Sequence, residues 1–221
     1  MKFYPKGTLP EQANMFFIYG DGGTGKTSLT KQFSGEKWLI TFDKSTNPIR
    51  KDIDTSVLVI EEQDFPIIQQ LVIKAVTKAI NNPEFDVIIL DNVTGLQNLV
   101  LENIDGASKD GRQNYQKLQL WFRQLGYKLR ESGKTIYVTA HQNDNGTNGL
   151  DGKGRFSADM NEKTFNAFTS MFDVVGRIYI DGGKRLIDLD PENGNHAKNR
   201  LDDRKLIEAN DLVNNKQEEV I

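Results

Sequence analysis

The octapeptide Gly20-Asp21-Gly22-Gly23-Thr24-Gly25-Lys26-Thr27 constrains this chain more than any other stretch. An apolar run, Met15-Phe16-Phe17-Ile18-Tyr19, precedes it, and Ser28-Leu29-Thr30-Lys31-Gln32-Phe33 follows and reads as helix. Strand, glycine-rich loop and helix start, in that order, is the setting that a G-x-x-x-x-G-K-[ST] phosphate loop requires. Glycines let several backbone N–H groups converge on one anion with no side chain in the way. The helix start adds unpaired donors and the positive end of a dipole. Lys26 reaches the outer phosphates of a nucleotide, and the Thr27 hydroxyl is a ligand for Mg²⁺. Residues 20–28, Ser28 included, are the expected nucleotide-binding segment.

The rest of the chain supplies the sheet that such a loop needs. Lys37-Trp38-Leu39-Ile40-Thr41-Phe42 reads as a second strand ending at Asp43, and Ser56-Val57-Leu58-Val59-Ile60 as a third. Asp64 reads as the cap of a helix whose apolar residues, Ile67 through Ile80, recur at helical spacing until Asn81-Asn82-Pro83 stops it. Asp86-Val87-Ile88-Ile89-Leu90-Asp91 is a continuous apolar run closed by an acid, as in a parallel strand buried on both faces. A helix is expected over 114–131, ended by Gly133, then a buried strand over 135–140 that ends at His141-Gln142. Residues 143–163 carry four glycines among polar residues and read as a long mobile loop, of the kind that is either functional or disordered. A short helix over 164–171 and two strands joined by Asp181-Gly182-Gly183 complete the pattern. Strands alternating with long crossovers predict an α/β fold: a mainly parallel sheet flanked by helices, with a C-terminal β-hairpin. Residues 1–202 are expected to form this domain and 203–221 a charged, partly ordered tail.

Composition removes several classes. A net charge of −3 gives no global basic field, so any nucleic-acid binding must come from a local patch. No cysteine occurs, which excludes disulfides and thiolate metal sites and suits a reducing compartment. No apolar run approaches the ~20 residues of a membrane span, and no signal-peptide core opens the chain. The expectation is a soluble cytoplasmic protein with no membrane partner.

Asp91, at the end of a buried strand, lies on the sheet edge where ligands of open α/β folds sit. A carboxylate there is placed to hold Mg²⁺, which makes residues 87–91 a Walker B strand. Asn92, the next residue, reads equally as a group that orients water or as a helix cap. Asp43 reads equally as a turn-forming residue or as the best-placed acid for positioning an attacking water, ahead of Glu61 and Glu62. His141 is a candidate sensor of the γ-phosphate, with Gln142 as competitor. His196-Ala197-Lys198-Asn199-Arg200, taken alone, is a surface charge cluster.

Together these motifs, over residues 13–202, resemble the RecA-type recombinase core. They are similar above all to the short bacteriophage RecA-like ATPases that act as single-strand annealing proteins, the Sak group. Phe172-Asp173-Val174-Val175-Gly176-Arg177-Ile178-Tyr179 and the hairpin after it carry the resemblance beyond the phosphate loop. The resemblance implies that Lys198 and Arg200 reach a neighbouring subunit's γ-phosphate as positive fingers, and that His141 is the sensor. It implies two DNA-binding segments: 106–114 with Lys109 and Arg112, and 142–163 with Lys153, Arg155, Lys163 and Phe156, the last stacking on a base. It further implies ATP and Mg²⁺ as cofactors, single-stranded DNA and a single-strand-binding protein as partners, a homo-oligomeric ring or filament, and the host cytoplasm as location. The family places a catalytic glutamate after the second strand, where this chain reads Asp43-Lys44-Ser45-Thr46; either Asp43 substitutes or hydrolysis is slow. The competing readings are a replication helicase or helicase loader, a small-molecule kinase, and a nucleotide-gated module that does not hydrolyse.

Overall fold

The computed structural model describes residues 1–146 and 155–213. In chain order its main elements are β1 (Met15–Gly20), β2 (Glu36–Thr41), β3 (Thr55–Val59), α1 (Ile68–Asn81), β4 (Phe85–Asp91), α2 (Val93–Glu102) and α3 (Gly111–Arg130). They continue with β5 (Thr135–Asp144), β6 (Phe156–Ala158), α4 (Glu162–Thr169), β7 (Val174–Asp181), β8 (Lys184–Asp188), β9 (Lys198–Asn199) and β10 (Leu206–Glu208). The sheet runs β10-β8-β7-β1-β5-β4-β2-β3. From β7 to β3 every neighbour is parallel, and β8 and β10 add antiparallel strands at one edge. The architecture is the expected one: α/β, a mostly parallel sheet flanked by helices, with a terminal hairpin.

β1 sits mid-sheet with all six residues buried. Its alternation divides the core. Met15, Phe17 and Tyr19 belong to one apolar cluster, Phe16 and Ile18 to the other. The first cluster holds the inner faces of all four α-helices. Phe17 meets the rings of Phe165, Phe168 and Phe172 edge-on at 5.3, 6.3 and 5.8 Å. Such pairs contribute about 0.5–1.5 kcal/mol each beyond burial, so they fix α4 against the strand that carries the phosphate loop. The opposite face is covered by Leu29, Phe33, Ile49, Ile207, Ala209 and Leu212 rather than by α-helices.

Four local expectations are corrected. The helix after the phosphate loop is a single 3-10 segment, Thr27–Gln32, ended by Phe33 in extended geometry and Gly35 at φ 84°. The cap before α1 is Glu61, not Asp64: the two exchange a capping box that opens a 3-10 segment, Glu62–Ile67, and α1 starts only after Pro66. The described parts of 143–163 are not all loop: β5 extends to Asp144 and pairs antiparallel with β6, and α4 begins at Glu162; 147–154 lie outside the described residues. The tail does not begin at 203. β10 pairs with β8, and Ile207, Ala209 and Leu212 are buried in the second cluster, because that face lacks an α-helix to cover it.

Candidate nucleotide site

Gly20 pairs with His141 of β5 on one side and with Ile178 of β7 on the other. A Cβ on Gly20 would lie 2.2 Å from the Ile178 carbonyl oxygen, so this glycine is set by strand packing. Gly23 and Gly25 have φ of 78° and 97°, where a side chain is strained; they give the loop its turn. Thr24 Oγ1 donates to the Asp21 carbonyl at 2.8 Å and closes the loop on itself. Lys26 Nζ donates to the carbonyls of Gly20 and Asp21 at 2.7 and 2.8 Å, and the Lys26 carbonyl accepts from the buried Tyr137 hydroxyl. Burial pushes the Lys26 ammonium below its ordinary pKa, and Asp91, Asp21 and Asp43 pull it back.

Thr27 Oγ1 donates to Asp91 Oδ2 at 2.8 Å, and the Thr139 hydroxyl donates to Asp91 Oδ1. Desolvation raises the Asp91 pKa, against the two hydroxyl bonds and Lys26, which lower it. A cavity of about 410 Å³ opens here, and Gly22, Gly23, Gly25, Lys26, Thr27, Ser28, Asp43, Asp91 and His141 all line it. The volume lies within the usual range for small-molecule sites, ~300–1,000 Å³. The donor set fits ATP with Mg²⁺: a cation and convergent backbone donors for phosphates, and a hydroxyl beside a carboxylate for a hard metal ion. Among the described residues no cluster of three or more His, Asp or Glu side chains could hold a metal by itself. Thr27 and Asp91 are the residues that would hold such a metal.

Asp43 projects after β2, whose last residue Thr41 pairs with Asp91. Its Oδ1 accepts from the Ser45 N–H at 3.0 Å and from the Thr41 hydroxyl at 3.3 Å. Lys44 takes φ 61°, the left-handed region that a non-glycine residue adopts at a cost of ~1–3 kcal/mol. Asn92 caps α2 and reaches both Asp43 and His141.

The sequence reading missed Arg185. It lines the same cavity and its Nε donates to the Thr24 carbonyl at 3.1 Å. Its signal was the hairpin: Gly182-Gly183 places Arg185 opposite Ile180, two residues beyond the Ile178 that flanks Gly20. A second missed link runs from Asp21, whose carboxylate accepts from Gln142 Nε2 at 2.9 Å. Gln142 Oε1 accepts from Arg177 Nε at 2.8 Å, and the Arg177 guanidinium lies 3.4 Å over the Phe156 ring.

That last contact corrects one expectation. The Phe156 ring carries Arg177, with Arg155 at 4.7 Å, instead of presenting a free face for a base. Arg155 is itself held by both oxygens of Asp144 at 3.0 Å. Lys153 lies outside the described residues. Lys109 is exposed before α3, and Arg112 in its first turn shares a cleft with Lys163 of α4. Lys198 and Arg200 stand away from the cavity of their own chain. Their cations donate to the carbonyls of Thr169 and Ser170, at the C-terminal end of α4, where a helix dipole favours positive charge. Burial and the nearby Arg200 pull the Lys198 pKa down to about 8.

A phosphate loop on β1, with β5 between it and the acidic tip of β4, defines a P-loop nucleotide-binding α/β domain. The chain belongs to the AAA domain family, whose model matches residues 12–201. Among solved structures it is similar to the flagellar accessory protein FlaH from Methanocaldococcus jannaschii. That likeness covers 91% of this chain and 86% of the other, at 15% identity and a TM-score of 0.48. It is also similar to the KaiC-like protein PH0186 from Pyrococcus horikoshii OT3, over 80% and 78% of the two chains, at 13% identity and a TM-score of 0.46. None of the curated proteins compared matches it. No helix among the described residues is long and apolar enough to cross a membrane.

Proposed function

We propose that this chain is a bacteriophage recombination ATPase of the single-strand annealing kind. It hydrolyses ATP with Mg²⁺ and assembles as a ring or filament on single-stranded DNA in the host cytoplasm. The observation that carries this reading is the cleft of about 580 Å³ shared by α3 and α4. Arg112 and Lys163, far apart in sequence, line it with the exposed Tyr115 and with Gln116 and Gln119. Two cations, an aromatic ring and amides are the chemistry that tracks a phosphate backbone and stacks on bases, although Glu162 in the same cleft subtracts charge. Within this reading Lys26, Thr27 and Asp91 hold the nucleotide and metal, Asp43 orients the water and His141 senses the γ-phosphate. The siting of Lys198 and Arg200 outside their own cavity suits action in trans. A single-strand-binding protein is the expected partner.

The test is ATP turnover with and without single-stranded DNA, in the wild type and in an Arg112→Ala/Lys163→Ala double variant. Stimulation by DNA that the double variant loses, with DNA-free turnover kept, is the expected result. Absence of stimulation, together with no DNA binding by the ATP-bound protein, overturns it. One observation favours a second reading, a nucleotide-gated module that does not hydrolyse: among the described residues lining the cavity there is no glutamate. Measurable turnover abolished by Asp91→Ala, with nucleotide binding retained, excludes that module.

A further inference from the structure

Asn92 follows Asp91 directly and is 2% exposed. Both ends of its amide are engaged. Oδ1 accepts the Gly95 N–H at 2.9 Å, the capping bond of α2. A backbone N–H only donates, so the atom facing it is oxygen and the orientation of the amide is settled. Nδ2 therefore points the other way, donating to Asp43 Oδ2 and lying 3.2 Å from His141 Nε2. A carboxylate only accepts, and an amide nitrogen carries two hydrogens, one for each neighbour. His141 Nε2 is then an acceptor, and the ring carries its proton on Nδ1.

The geometry points to Asn92 as a positioning residue that sets Asp43 and His141 at once: we propose that its amide holds the Asp43 carboxylate toward the attacking water and fixes His141 as the Nδ1–H tautomer. A carboxylate offers about four acceptor sites. Ser45 N–H, the Thr41 hydroxyl and Asn92 fill three of them, which leaves one on Oδ2 for a water. His141 in this tautomer, with Nε2 occupied, offers only a donor, the polarity suited to a phosphate oxygen. Its backbone N–H, bonded to the Thr94 hydroxyl at 3.0 Å, holds this part of β5 to the first turn of α2. One residue thus joins the end of β4, the acid after β2 and His141 within β5. The part concerning the water rests on the proposed hydrolysis of ATP; the tautomer of His141 does not.

The chain contains two histidines, His141 and His196, so ¹⁵N-histidine NMR reads each ring separately once His141→Ala assigns the signals. Asn92→Ser is the informative variant, since serine retains a cap for Gly95 while removing Nδ2. The wild type is expected to show His141 protonated on Nδ1, and Asn92→Ser to move it toward the Nε2–H form. The same variant should lower kcat about tenfold or more at nearly unchanged KM, as misplacement of a reacting group does. Asn92→Asp, which also caps but sets an acceptor against Asp43, should show the same loss and guards against a folding defect in the serine variant. A wild-type ring protonated on Nε2, or a tautomer unmoved by Asn92→Ser, overturns the inference. A tautomer that switches as expected in a protein without turnover overturns the proposed hydrolysis and the water-positioning role, while the control of His141 by Asn92 stands.

Discussion

Replacing Gly20 by Ala adds one carbon at the point where the phosphate loop leaves the sheet. That carbon would meet the Ile178 carbonyl oxygen at 2.2 Å and the Ile178 Cγ2 at 2.7 Å. An ordinary contact needs more than 3 Å, so β1 and β7 must part by about an ångström or the ladder between them must break. Overpacking costs about 1–3 kcal/mol where side chains can yield; here the obstacle is backbone in the middle of a parallel ladder, and the upper end applies. At about 2–4 °C per kcal/mol for a domain of this size, a loss of about 3 kcal/mol lowers Tm by about 6–12 °C. Thermal unfolding without nucleotide measures this directly. Gly22→Ala is the control, because nothing lies within 4 Å of its added carbon and its φ is not positive; such a change stays within about 0.5 kcal/mol. A Gly20→Ala protein melting within about 2 °C of the wild type would refute the reasoning. It would mean that the first glycine of the loop serves phosphate approach and not sheet packing.

Two further outcomes follow from the site. Burial raises the Asp91 pKa, so on acidification Asp91 takes up its proton at a higher pH than an ordinary aspartate near 4, and Mg²⁺ must compete with that proton. The thermal stabilisation that Mg²⁺ adds to the ATP-bound protein should therefore fade as pH drops, beginning above pH 4, and should be absent at every pH in Asp91→Asn; a pH-independent Mg²⁺ shift in the wild type contradicts this. Arg185 overhangs the loop as an exposed cation held lightly by the Thr24 carbonyl, and a charge-assisted hydrogen bond from it to a nucleotide phosphate would be worth ~1.5–3 kcal/mol. Arg185→Gln should then weaken ATP binding about tenfold or more in a fluorescence titration while the Tm without nucleotide barely moves, and equal affinities would remove Arg185 from the site.

The signals legible in the sequence were local. Gly20–Thr27 between an apolar run and a turn of helix, the acid closing β4, and the Gly-Gly hairpin each depend on residues a few positions apart. They were enough to place Lys26, Thr27, Asp91, Asp43 and His141, which the fold brings to one cavity. Element ends were less legible. Glu61 displaced Asp64 as the cap because a reciprocal capping box satisfies two N–H groups where one side chain satisfies one. The β5–β6 ribbon hid inside a glycine-rich stretch because the residues it pairs, such as Asp144 and Phe156, are far apart in sequence.

What the sequence determined by itself is the strand–loop–helix setting of the phosphate loop and the alternation that builds a parallel sheet. Short-range sterics and hydrogen bonding dictate both. Only the tertiary structure decided that β7 runs beside β1, so that Gly20 is pressed against Ile178 and Arg185 overhangs the loop. It also decided that Asn92 bridges Asp43 and His141, that Arg177 covers Phe156, and that Arg112 and Lys163 share a cleft. Those placements follow from strand order and helix packing, which are chosen by burial summed over the whole core and leave no mark on any short stretch of chain.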